Sequence, residues 1–149
     1  MSNVLRIALV DPNDESRESL KAMLLSMDTV WLEADCSRYE FFPDVIAQTG
    51  PDVGVINLDS ESDKAIRLVE RLAAEAPDTV ILAASERTDG HLILQTIRAG
   101  ACEFLTLPLS EEDLMAALDR VSQQKFGTTE GGSRGCDVIA VAGATGGVG

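Results

Sequence analysis

Short apolar runs alternate strictly with longer stretches of helical period along this chain, and few architectures accommodate that order. Residues 5–10 (LRIALV), 53–58 (VGVINL), 79–83 (TVILA) and 102–107 (CEFLTL) read as strands, and a weaker run at 30–34 makes a fifth. The near-continuous apolarity of the first suits a strand buried on both faces. Between the runs, Leu20, Met23, Leu24 and Met27 recur at helical spacing, as do Ala65, Ile66, Val69, Leu72 and Ala73. Residues 39–48 carry a shorter helical pattern, in which Pro43 is tolerated only near the first turn. Thr88 is the expected N-cap of a helix running to residue 99, and Gly100 suits its C-terminal end. Ser110 with Glu111, Glu112 and Asp113 starts a last helix, whose buried stripe is Leu114, Ala117, Leu118 and Val121. Five strands alternating with five helices predict a doubly wound parallel α/β sheet with helices on both faces. In such a sheet the functional crevice lies at the carboxyl ends of the strands. The residues just after each strand are therefore the ones that matter.

Length and composition fit one packed domain with a tail: 149 residues, 45% hydrophobic and 25% charged. The formal net charge of −13 repels phosphate backbones and anionic lipid, so neither nucleic acid nor a membrane is expected as a direct partner. No apolar run approaches the ~20 residues that span a bilayer. The first residues, MSNVLRIALVDPND, lack a secretory pattern, and the chain is expected to be cytoplasmic. Cys36, Cys102 and Cys136 are odd in number and widely spaced; they form no metal pattern or disulfide framework and read as buried or half-buried thiols.

From Lys125 the composition changes. Residues 125–135 (KFGTTEGGSRG) hold four glycines and little that could pack, which predicts a flexible linker after a domain at 1–124. Residues 136–149 then begin a new apolar strand that runs into a glycine-rich turn.

The order of landmarks resembles the receiver domains of two-component response regulators over about residues 4–124. The residues that carry the likeness are Val10-Asp11 with Arg17 six positions beyond the acid, PDVGVIN at 51–57, RAGACEFL at 98–105, and Pro108. The resemblance implies a CheY-like or flavodoxin-like receiver fold and a site for phosphotransfer to an aspartate. Two acids after the first strand would hold magnesium. An aspartate ending the third strand would accept the phosphoryl group, a Ser or Thr would end the fourth, and a Lys would precede the proline after the fifth.

Here that set is broken. Asp11 fills the first acidic position, but Pro12 fills the second and offers no side-chain oxygen. Counting seven residues from Pro51 puts Asn57 at the acceptor position, and an amide is a poor nucleophile and a weak magnesium ligand. Leu107 stands where the lysine would, and it can neither neutralise nor hydrogen-bond a phosphoryl group. Ser85 suits the hydroxyl position, with Ala84 the alternative if the loop differs by one, and Phe104 suits the usual aromatic position. Three losses act on one reaction, so restoring one residue is not expected to restore the chemistry. Asp11 is then expected to cap the following helix or pair with Arg17, and Asn57 to hydrogen-bond nearby backbone. Asp14 and Asp59 are the alternative acids, with a helix-start role expected for Asp14. His91, the one histidine, is expected at a helix start in a solvated or partly packed setting.

The final stretch resembles the start of the deviant phosphate-binding loop of MinD/ParA-type ATPases, through Gly143, Thr145, Gly146, Gly147 and Gly149. Thr145 takes the place of that motif's signature lysine. A receiver-like domain, a linker and this loop together resemble the CpaE/TadZ proteins of Flp (tad) pilus assembly. That likeness implies a pseudo-receiver interaction and dimerisation module of a cytoplasmic, pole-localised protein, with other pilus-assembly proteins as partners. No cofactor is expected in this segment, and ATP and magnesium belong to the longer protein. The alternative is a phosphorelay receiver that uses a non-standard aspartate. A domain without chemistry acts through its surfaces. Residues 91–97 (HLILQTI) are more apolar than one buried stripe requires. Leu92, Ile93, Leu94 and Ile97, with Phe104, are the interface candidates, because receivers commonly dimerise through the fourth helix, fifth strand and fifth helix.

Overall fold

A computed structural model describes residues 4–123. Five parallel strands form one sheet: β1 (Leu5–Val10), β2 (Val30–Cys36), β3 (Val53–Asn57), β4 (Val80–Ser85) and β5 (Glu103–Thr106). The helices between and after them are α1 (Asp14–Leu25), α2 (Phe42–Thr49), α3 (Ser62–Glu75), α4 (Gly90–Ala99) and α5 (Glu111–Ser122). The sheet order is β2-β1-β3-β4-β5. The chain winds one way from β1 to β2 and the other way from β3 onward, which leaves a crevice between the carboxyl ends of β1 and β3. Val10 faces Ile56 in the register, so Asp11 and Asn57 emerge side by side there.

Strand alternation divides the interior in two. Leu5, Ile7 and Leu9 of β1 join Val53, Val55, Leu82 and Leu105 under Leu20, Leu24, Leu114 and Leu118 of α1 and α5. Ala8 and Val10, with Ile56, Ile81 and Ala83, face Phe42, Ile46, Ile66, Val69, Leu72 and Leu92 of α2, α3 and α4. This burial explains why β3 reads as an unbroken apolar run: all five of its residues are buried.

Several local expectations shift. The second helix is preceded by a tight turn at Tyr39–Phe41, and Pro43 sits in its first turn, where no amide is missed. The N-cap of α4 is Asp89 and not Thr88: the helix starts at Gly90, and the Asp89 side chain accepts from the amide of His91. Ser110 caps α5 as expected, accepting from the amide of Asp113. Gly100 ends α4 with φ +131°. Cys36 is a free, half-buried thiol. Cys102 is disulfide-bonded, which corrects the expectation of a thiol there; separation in sequence does not fix separation in space. The linker at 125–135 and the loop at 136–149 lie outside the described residues. Among the described residues, no helix is long and apolar enough to cross a membrane.

Candidate functional site

Asp11 is fully buried at the end of β1. One carboxylate oxygen, Oδ1, accepts from the backbone amide of Asn13 at 3.0 Å. The other, Oδ2, accepts from Ser16 Oγ at 2.5 Å and from Asn57 Nδ2 at 3.0 Å. Burial raises the Asp11 carboxyl above its ordinary value, and the bonds from Ser16, Asn13 and Asn57 and the charge of Arg17 oppose that rise. Asp11 does not cap α1. Asn13 does, through a bond from the amide of Ser16, because Asn13 is the residue directly before the helix. Nor does Arg17 bond the Asp11 carboxylate: its guanidinium reaches the Asp11 carbonyl at 3.0 Å and the Asp14 carboxylate at 2.8 Å. Asp14 stands in solvent with its side chain 86% exposed, in the expected helix-start position.

Asn57, also buried, is bonded through both the nitrogen and the oxygen of its side chain. Its Nδ2 donates to Asp11, and its Oδ1 accepts from the amide of Asp59 at 2.7 Å. Both bonds fix the amide's orientation, since the reverse would set carbonyl against carboxylate and N–H against N–H. The Asn57 backbone carbonyl accepts from the Tyr39 hydroxyl at 2.5 Å. Burial, with the nearby charges of Asp11, Asp59 and Glu61, pushes the Tyr39 phenol up to about 12. Asn57 thus has the local backbone bond foreseen for it, and in addition a side-chain bond to Asp11 that joins β3 to β1.

Ser85 ends β4, fully buried. Its hydroxyl donates to Asp59 Oδ1 at 2.5 Å and accepts from the amide of Arg87 at 3.0 Å. The second Asp59 oxygen accepts from the amide of Glu86 at 2.9 Å. Pro12 contributes no side-chain polar atom. Leu107 packs against the core beneath α1 and α5, and its amide donates to the Ser85 carbonyl at 2.8 Å. The bond from Leu107 to Pro108 is cis.

The residues present do not fit a magnesium ion. That ion wants oxygen ligands in near-octahedral array. The Asn57 group turned toward Asp11 is an N–H donor, the Asp11 oxygens already accept three bonds, and Asp59 is turned to Ser85 and Glu86. Among the described residues no group of three or more His, Cys, Asp or Glu side chains is placed to share a metal ion. Sequence reasoning missed Ser16, which reaches Asp11 from the first turn of α1, and also Tyr39 and the Glu86 amide, which reach the site through tertiary placement.

The candidate surface is only partly as expected. Leu92 is a correction: it is 4% exposed and belongs to the core, so it is not available to a partner. Leu94 is 49% exposed, whereas Ile93, Ile97 and Phe104 are half-buried. Met115 of α5, 52% exposed, was not among the candidates. His91 is exposed in the first turn of α4, as expected.

No protein-family model matches the chain. It is 26% identical over 123 residues to a nitrate/nitrite response regulator protein homolog of Haemophilus influenzae, and spans 59% of that relative's length. The signal receiver domain of the response regulator NarL from Mycobacterium tuberculosis superposes with a TM-score of 0.74 at 17% identity, over 80% of this chain and 98% of that one. The receiver domain of RcsB from Salmonella enterica superposes at 0.73 and 13% identity, over 86% and 95%. A pilus assembly protein (cpaE) from Burkholderia thailandensis superposes at 0.72 and 16% identity, over 81% and 100%. Strand order, helix placement and these likenesses agree that the chain has the α/β fold of response-regulator receiver domains.

Proposed function

We propose that this domain is a receiver-fold interaction module that does not accept phosphate and acts by self-association and partner binding. One observation carries the reading: Asn57, a neutral amide, takes the acceptor position and donates a 3.0 Å hydrogen bond to Asp11. Two carboxylates at that spacing would need a cation or a shared proton between them. An amide facing a carboxylate needs neither, so the site is complete without metal. The surface of α4 around the exposed Leu94 is the docking face of the module, and a homodimer is its first use. The likeness to a pilus assembly protein supports a role in a CpaE/TadZ-like localisation protein, whose partners are other pilus-assembly proteins.

The test is intact mass after incubation with magnesium and acetyl phosphate, for the natural sequence and for Asn57→Asp. Neither is expected to gain a phosphoryl group, because Pro12 and Leu107 still lack the ligand and the positive charge. A stoichiometric gain in the natural sequence would overturn the reading and direct attention to Asp59 as a working acceptor.

A further inference from the structure

We propose that Asp59 is an internal clasp whose carboxylate binds the β3–α3 loop to the β4–α4 loop and holds the start of α4 in one arrangement with no added group. The proposal rests on the function proposed for the domain, since a phosphate-free module needs its docking face set by its own residues. Asp59 lies two residues past β3. Its two oxygens accept from Ser85 Oγ at 2.5 Å and from the Glu86 amide at 2.9 Å, across 26 and 27 positions of sequence. A hydroxyl and a backbone N–H that converge on one carboxylate form an anion cradle, and here the chain fills its own cradle. Bonds to an ionised acceptor are stronger than neutral ones, so this is the strong link between the two loops.

The surrounding bonds extend the clasp toward α4. Ser85 Oγ accepts from the Arg87 amide at 3.0 Å while it donates to Asp59. The Arg87 guanidinium donates to Ser62 Oγ, the first residue of α3, at 3.2 Å. Asp89 then caps α4 through the His91 amide. Residues 85, 86, 87 and 89 are each tied down in this way, and the segment leads directly into the helix that presents Leu94. Removing the Asp59 carboxylate leaves the buried Ser85 hydroxyl and the Glu86 amide without their acceptor. The β4–α4 segment should then open more often, and Leu94 should lose its fixed setting.

Amide hydrogen exchange on the whole chain tests this with Asp59→Ala, Asp59→Asn and Ser85→Ala. In Asp59→Ala, exchange across residues 86–93 is expected to rise about tenfold or more, most at Glu86, while β1 and β3 keep their protection. Asp59→Asn retains one acceptor and should fall between. Ser85→Ala removes one donor and leaves the charge, and should loosen the same segment less. Unchanged exchange at 86–93 in Asp59→Ala would overturn the clasp. So would a uniform rise over the whole sheet in both Asp59→Ala and Ser85→Ala, which would make the pair a general stability element. A phosphoryl gain in the natural protein would sink the functional reading alone, because exchange on the unmodified chain still reports the clasp.

Discussion

At the scale of single residues, the position that decides the chemistry is Asn57. Asn57→Asp removes a donor from Asp11 and places a second buried carboxylate about 3 Å away, by the present Asn57–Asp11 spacing. The variant is expected to lose about 1–3 kcal/mol at neutral pH, by the usual size of an unsatisfied or like-charged buried group. One carboxyl of the new pair should hold its proton to a higher pH in the folded than in the unfolded chain. Stability is therefore regained as pH falls through that raised value, which urea unfolding at pH ~7 and ~5 would show. In the natural chain Asp11 acts with the same sign, more weakly. Its carboxyl is raised above the ordinary value, so the folded state binds the proton more tightly than the unfolded chain. Its contribution to stability should fall as pH rises from the ordinary carboxylate range through the raised value, and stay level above it. Carbon-detected titration of the Asp11 carboxyl should place its midpoint above the ordinary aspartate value; a midpoint at or below that value would contradict this pH dependence. The sequence made the identities at positions 11, 12, 57, 85 and 107 legible, because each lies at or just past the end of a strand. The bonds among them were not legible, since Tyr39 meets Asn57 across 18 positions and Asp59 meets Ser85 across 26.

At the scale of elements, periodicity located all ten strands and helices, while side-chain competition set their ends. Residues 5–10 coincide with β1, but Asn13 takes the cap that Asp11 was expected to supply, and Asp89 takes that of Thr88. Adjacent polar residues have similar capping ability, so only the placement of the first helical turn chooses between them. The buried position of Leu92 beside exposed Leu94 has the same origin: composition gives the number of apolar residues on α4, and the angle of docking decides which ones the sheet covers. The junction of α3 and α4 gives a sharp test. Gly100 has φ +131°, and a Cβ there would meet the Ala73 Cβ at 2.7 Å. Gly100→Ala therefore combines a conformation that L residues rarely adopt with a clash, and should cost about 2 kcal/mol or more. Gly90, the first residue of α4, has no positive φ, and a Cβ there would meet nothing within 4 Å. Gly90→Ala should be neutral or stabilising by up to about 1 kcal/mol. Thermal unfolding of the two variants side by side separates strain at the helix end from a general dislike of substitution.

At the scale of the whole molecule, the question is whether an acidic domain associates through its α4–α5 face. A formal charge of −13 opposes the approach of two copies, whereas the exposed apolar side chain of Leu94 favours it. Two leucines two residues apart make the discrimination. Leu94→Glu alters an exposed side chain and should leave the melting temperature nearly unchanged while it shifts the chain to monomer in light scattering. Leu92→Ala removes a core side chain that is 4% exposed, and should cost about 2–4 kcal/mol whatever the oligomeric state. Equal association in the natural chain and Leu94→Glu would remove α4 from the interface. Salt then tells what holds the copies together. Arg120 of α5 is already bonded to both oxygens of Glu103 at 2.8 Å within its own chain, which leaves it less able to reach across an interface. Association is thus expected to rest on apolar contact against mutual repulsion. Screening shortens the reach of that repulsion to about 10 Å at 0.1 M salt and less above it, so raising salt should strengthen the dimer. Weakening by salt would mean instead that ion pairs between copies outweigh the net charge, and the interface would have to be sought among the cations of the surface and not around Leu94.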